Sequence, residues 1–219
     1  MKKRPAINDL LRVMARLRSP TGCPWDREQD HFTLRWHAVE EVYELLDAIE
    51  ARDDHEMAEE LGDLLLQVVF HCQLASERGA FDFAKVARHI TDKLIRRHPH
   101  VFGDVKVKNV DQVWANWEKI KRAEKHGTRH ARPSALDGIP KHLPALLWAE
   151  KLVKKARRAK LVSASPGNRK LTRTRLARNL FDLTNYAQSK GWSAEELLRS
   201  EARKQERIWR GLERKEAAS

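Results

Sequence analysis

The chain is poor in the residues that make disulfide scaffolds, β-sandwiches or membrane spans. It has two cysteines, Cys23 and Cys72, too few for a disulfide framework and without the spacing of a zinc site. Nine glycines and eight prolines in 219 residues do not supply the turns of a many-stranded sandwich. No apolar run approaches the roughly 18 residues of a membrane span, so no membrane association is expected. Arg12 and Arg16 interrupt what would have to be the apolar core of an export signal, which makes the cytoplasm the expected compartment. Acidic residues are scarce in the last third. Residues 1–138 hold 23 basic and 23 acidic side chains, whereas residues 139–219 hold 20 and 8, so the whole net charge of +12 sits in the tail. That asymmetry fits either a polyanion partner such as nucleic acid or a solvated basic helical surface.

What is present reads as helix. Composition is 41% hydrophobic and 34% charged, and apolar residues recur at helical spacing along most of the chain. Ile7, Leu10, Leu11, Met14 and Leu17 begin it. Residues 19–26, with two prolines and a glycine, read as a loop. Further helices are expected over 34–50, 55–77, 83–97 and 111–125, the last carrying Val113, Trp114, Trp117 and Ile120. Beyond a Pro- and Gly-containing connection come helices over 144–158, 171–189 and 194–214, with residues 163–168 as a loop. No segment shows strand alternation, so the fold class is all-α.

The second and third helices carry Glu40-Glu41-x-x-Glu44 and Glu60-x-x-Asp63. Residues three apart share a helix face, and the short connection around Arg52 implies an antiparallel hairpin. In such a hairpin, residues at one level have position numbers with a constant sum. Glu44 and Glu60 share that sum with Glu41 and Asp63, so four carboxylates are expected to converge. Residues 40–77 contain twelve acidic side chains and one basic one, Arg52. Converging carboxylates without counter-charge repel, and Asp63 is embedded among leucines and valines, where an unpaired charge is costly. A hard divalent cation resolves this, and oxygen-only ligands favour Mg²⁺, or Mn²⁺, over zinc. Such an ion commonly bridges carboxylates to substrate phosphates. Cations follow: Lys93, Arg96 and Arg97 on the fourth helix, then Lys119, Lys121 and Arg122 on the fifth, with Trp117 one turn before Lys121.

With these residues in order, the sequence resembles the MazG family of nucleoside triphosphate pyrophosphohydrolases. The resemblance runs through Gly22-Cys23-Pro24-Trp25-Asp26, the two acidic motifs, residues 92–102 (DKLIRRHPHVF), Trp117-x-x-x-Lys121 and Ser134-Ala135-Leu136-Asp137-x-Ile139-Pro140. It implies Mg²⁺-dependent hydrolysis of NTPs or dNTPs to monophosphate and pyrophosphate, usually by a homodimer. It also implies Glu41, Glu44, Glu60 and Asp63 as metal ligands, and Lys93, Arg97, Trp117 and Lys121 as nucleotide contacts, with Glu40 beside the ligands. The implied step is attack by an activated water on the phosphorus between nucleoside and leaving pyrophosphate. The proton acceptor is not assigned by the motif; Glu41 is the candidate. Asp30 and Trp36 depart from the family pattern, which bears on substrate preference.

Longer members of that family carry two modules. Here residues 1–130 read as the first, 131–158 as linker and connecting helix, and 159–219 as a smaller, basic, degenerate second. Aligning Asn179-Leu180-Phe181-Asp182-Leu183 with residues 64–68 puts Arg175 and Arg178 opposite Glu60 and Asp63, and arginine cannot ligate Mg²⁺. The alternative function is nucleic-acid binding or another interaction through the basic C-terminal region.

Overall fold

The computed structural model describes residues 5–128, 131, 133–162 and 171–218; the loop expected over 163–168 lies outside them. Those residues form helices and no strand, in the order α1 (Ala6–Leu17), α2 (Pro24–Glu28), α3 (His37–Ala51), α4 (Asp54–Glu77), α5 (Phe83–Arg97), α6 (Pro99–Phe102), α7 (Val110–Ala123), α8 (Ala145–Arg158), α9 (Arg173–Ser189) and α10 (Ala194–Ala218). The all-α expectation holds. Two details differ from the sequence reading. Residues 19–26 are not wholly loop, because Pro24 opens the short α2 as its first helical residue. Pro99 stops α5 and also starts α6. None of the helices is long and apolar enough to cross a membrane.

The chain divides into two compact units, Met1–Val113 and Trp114–Ser219. In the first, α3 and α4 form an antiparallel hairpin. Its turn is made by Arg52 in the left-handed region (φ 55°, ψ 37°), and by Asp53, whose carboxylate accepts from the backbone N–H groups of His55 and Glu56 at the start of α4. α1 packs on α4 through a core of Met14, Leu34, Val69, Phe70 and Leu74. Arg18, at the end of α1, ties three segments together. Its guanidinium forms a paired bridge to Glu77 (Nε–Oε1 2.7 Å, Nη2–Oε2 2.8 Å), donates to the carbonyls of Asp26 and Gln29, and lies over the Phe70 ring. The approach is close: a Cβ at Gly22 would stand 2.0 Å from the Leu17 carbonyl oxygen. Only glycine fits there.

The second unit is built on α8 and α10. Trp148, Leu152 and Ala156 share one buried core with Ala202, Trp209, Leu136 and Leu161. The Ser134 N–H donates to Asp137 Oδ2 and the Leu136 N–H donates to Ser134 Oγ, closing the turn that carries the buried Leu136, and Asp137 pairs with Arg210 at 2.8 Å. Much of the Ser134–Pro140 motif therefore has a structural task in its own unit.

Candidate metal centre

The α3–α4 hairpin aims acidic side chains at one another. Glu41, Glu60 and Asp63 each offer a carboxylate oxygen within 4.8 Å of the other two, and all three are half-buried. Burial raises the pKa of Glu41 first, and the charges of Asp63 and Glu44 add to it, while a hydrogen bond from Gln67 works the other way. Glu60 is raised by partial burial, then by Glu44, Asp63 and Glu41. Two carboxylates in one cluster thus resist ionisation in the absence of a cation. Glu44 is exposed and lies outside the tight group, yet its charge reaches both Glu41 and Glu60. Glu40 is exposed too, with one oxygen 3.7 Å from His37 Nδ1.

Gln67, which the sequence reading did not single out, is buried beside the cluster. Its Nε2 donates to Glu41 Oε1 at 3.4 Å, and its Oε1 is enclosed without a hydrogen-bond partner. The only sequence-level signal for it is a polar residue on α4 one turn after Asp63. Oxygen donors alone, mutual repulsion and an unmet buried acceptor together fit a hard, hydrated divalent ion. A second group, His55, Glu56 and Glu59, is fully on the surface.

The cations distribute over both units. Lys93 is half-buried and Arg97 buried on α5, the helix that packs against α4. Trp117 and Lys121 belong to α7 within the second unit, both half-buried, with Lys121 Nζ 3.2 Å from Glu118 Oε1. Trp114, expected on the apolar stripe, is 53% exposed. Asp30 accepts hydrogen bonds from the backbone N–H groups of Phe32 (2.7 Å) and Thr33 (2.9 Å) and so closes the turn that leads into α3. Trp36, at the end of that turn, is 60% exposed.

Residues 29–102 match the MazG nucleotide pyrophosphohydrolase domain, a span that contains every carboxylate of the cluster. The N-terminal unit belongs to the MazG family. Across 150 residues, 68% of this chain and 56% of the relative, the chain is 51% identical to the nucleoside triphosphate pyrophosphohydrolase of Escherichia coli K12. It is 47% identical, over the same shares, to the nucleoside triphosphate pyrophosphohydrolase/pyrophosphatase MazG of Thermotoga maritima. An uncharacterized 26.1 kDa protein of Streptomyces cacaoi is 46% identical over 69% of this chain and 61% of its own length. The chain therefore spans little more than half the length of the MazG relatives of Escherichia coli and Thermotoga maritima. Among solved structures, a MazG-related protein of Thermotoga maritima aligns with 52% of the chain and 97% of its own, at a TM-score of 0.45 and 24% identity.

Proposed function

We propose that this chain hydrolyses nucleoside triphosphates to nucleoside monophosphate and pyrophosphate, using Mg²⁺, with Mn²⁺ as a substitute, held by Glu41, Glu44, Glu60 and Asp63. The observation that carries this reading is the group of three half-buried carboxylates within 4.8 Å of one another on one hairpin. Bound there, Mg²⁺ supplies Lewis-acid stabilisation of phosphoryl oxygens and makes water a better nucleophile. The chain's own residues do the rest. Lys93 acts as a point charge on the phosphates and Arg97 offers its planar fork, while Trp117 and Lys121 contact the nucleotide. Glu40 supports the ligands from the exposed side. Glu41, half-buried within the group, is assigned as the acceptor of the attacking water's proton.

The test is pyrophosphate release from a panel of NTPs and dNTPs, with and without Mg²⁺. Release is expected to require the ion and to fall by at least about 10²-fold in Asp63→Asn, since a lost metal ligand removes several kcal/mol of transition-state stabilisation. No release from any nucleotide, with Glu44→Ala indistinguishable from the parent chain, overturns the reading.

We further infer a homodimer assembled through the hairpin. Val39, Val42, Leu46 and Ile49 on α3, and Leu61, Leu65 and Val68 on α4, are each 39–49% exposed. Two stripes at helical spacing on the same hairpin suit a two-fold, self-complementary contact with a second copy. In the C-terminal unit, Arg175 and Arg178 replace the acids of the first module, and among the described residues no triad of potential metal ligands lies there. We read it as the degenerate second module. A second function, nucleic-acid binding, is supported by Lys151, Lys154 and Arg158 along α8 and Arg173, Arg175 and Arg178 on α9, all exposed and in no ion pair among the described residues. Both cysteines are free thiols, which suits action in the reducing cytoplasm.

A further inference from the structure

Gln67 stands one turn beyond Asp63 on α4 and is 7% exposed. A buried amide ordinarily has both its ends satisfied, because an enclosed acceptor without a partner loses the hydrogen bonds it made to water. Here only the nitrogen is used, on Glu41 Oε1, and the oxygen is enclosed with no partner. Both atoms hang from one carbon, so the unmet acceptor is the immediate neighbour of the nitrogen that donates to Glu41. The choice of a neutral donor also matters. A lysine or arginine here would pin Glu41 by neutralising it and would compete with a cation, whereas an amide orients the carboxylate and leaves its charge intact. At 3.4 Å the hydrogen bond is longer than the usual N–H···O distance, so it adds little to the stability of the fold. Its value lies in where it holds Glu41.

We propose that Gln67 is a positioning residue of the metal centre: its N–H group sets the Glu41 carboxylate, and its carbonyl accepts a hydrogen from a water that a hydrated divalent ion brings with it. The proposal rests on the metal-site reading above. Residues that orient metal ligands change affinity by about 10–100-fold when removed, and Mg²⁺ commonly keeps several of its waters in such sites.

The experiment is an electron paramagnetic resonance titration of Mn²⁺ into the full, nucleotide-free chain, with thermal midpoints taken in EDTA. Gln67→Met keeps the side-chain volume and removes both polar ends. Gln67→Asn keeps the amide but falls one methylene short of Glu41. Both are expected to bind Mn²⁺ about 10–100-fold more weakly, with midpoints in EDTA within about 2 °C of the parent, while Asp63→Asn loses binding outright. Pyrophosphate release by the Gln67 variants is expected to recover as Mg²⁺ is raised by a similar factor. Parental Mn²⁺ affinity in both Gln67 variants, with binding lost in Asp63→Asn, overturns the role of Gln67 and leaves the metal site standing. Parental affinity in all three overturns the metal site itself. Weaker binding matched by a collapse of the midpoint in both Gln67 variants shows a merely structural residue and overturns the proposal.

Discussion

Glu60 is held by two opposing demands: its charge is needed for a cation, and without one that charge is unwelcome. Its folded-state pKa lies above the ordinary 4.5 because of partial burial and the carboxylates of Glu44, Asp63 and Glu41. The stability it contributes is therefore complete below about pH 4.5 and is lost as pH rises through the folded value. In EDTA at pH 7.5, Glu60→Gln is expected to raise the thermal midpoint by roughly 2 °C, and the gain should vanish in an acidic buffer below the ordinary value. Saturating Mg²⁺ should lift the parent more than the variant, by ligand linkage. Calorimetry in the two buffers checks this; a variant less stable than the parent in EDTA would contradict the repulsion. Glu77 is the reverse case. The Arg18 hydrogen bonds hold its pKa below the usual carboxylate range, so its contribution is present above about pH 4.5 and is lost as pH falls through the lowered value. Glu77→Gln should cost about 1 kcal/mol at pH 7, discounted for its partial exposure, and chemical denaturation at pH 3 should show the gap narrowing.

At the scale of elements, the hairpin and the turn behind α1 do most of the positioning. Gly22 sits where any side chain would meet the Leu17 and Arg16 carbonyl oxygens, at 2.0 and 2.5 Å from a Cβ. Gly22→Ala is expected to destabilise by about 1–3 kcal/mol, as overpacking does, read as a lower urea midpoint. The apolar stripes of α3 and α4 carry a separate expectation. Leu65→Glu places a charge on a stripe that is 39% exposed at that residue, so it should convert the proposed dimer to monomer in light scattering while leaving the far-ultraviolet helical signal intact. Helix limits were legible to within three residues for α1, α3, α4, α5, α7, α8 and α9, because their apolar residues keep a helical period and their ends carry Pro, Gly or capping acids. α2 and α6 were not: five and four residues are too few for a period to show.

Across the whole molecule, charge is the organising variable. The first 138 residues are neutral in sum and concentrate their acids on the α3–α4 hairpin, while the excess of +12 falls on the remainder. If the C-terminal unit binds nucleic acid through phosphates, affinity at about 50 mM salt should drop by 10³-fold or more at about 200 mM. Flat, negligible binding of RNA and DNA in fluorescence anisotropy at the lower salt leaves that surface as solvated helix.

The sequence by itself determined that the chain is helical, that α3 and α4 pair across Arg52, and that their acids occupy shared levels. These follow from local rules, since a period of 3.6 fixes the face on which a residue lies and a short turn fixes the register of two helices. Only the tertiary structure decided which oxygens meet. Glu41, Glu60 and Asp63 converge while Glu44, equally placed by the same arithmetic, stays exposed. It also decided that Gln67 is enclosed against Glu41 and that Arg18 joins three segments at once. Those outcomes depend on rotamers and on neighbours distant in the chain, and distances of a few ångströms lie below what a periodic pattern can specify.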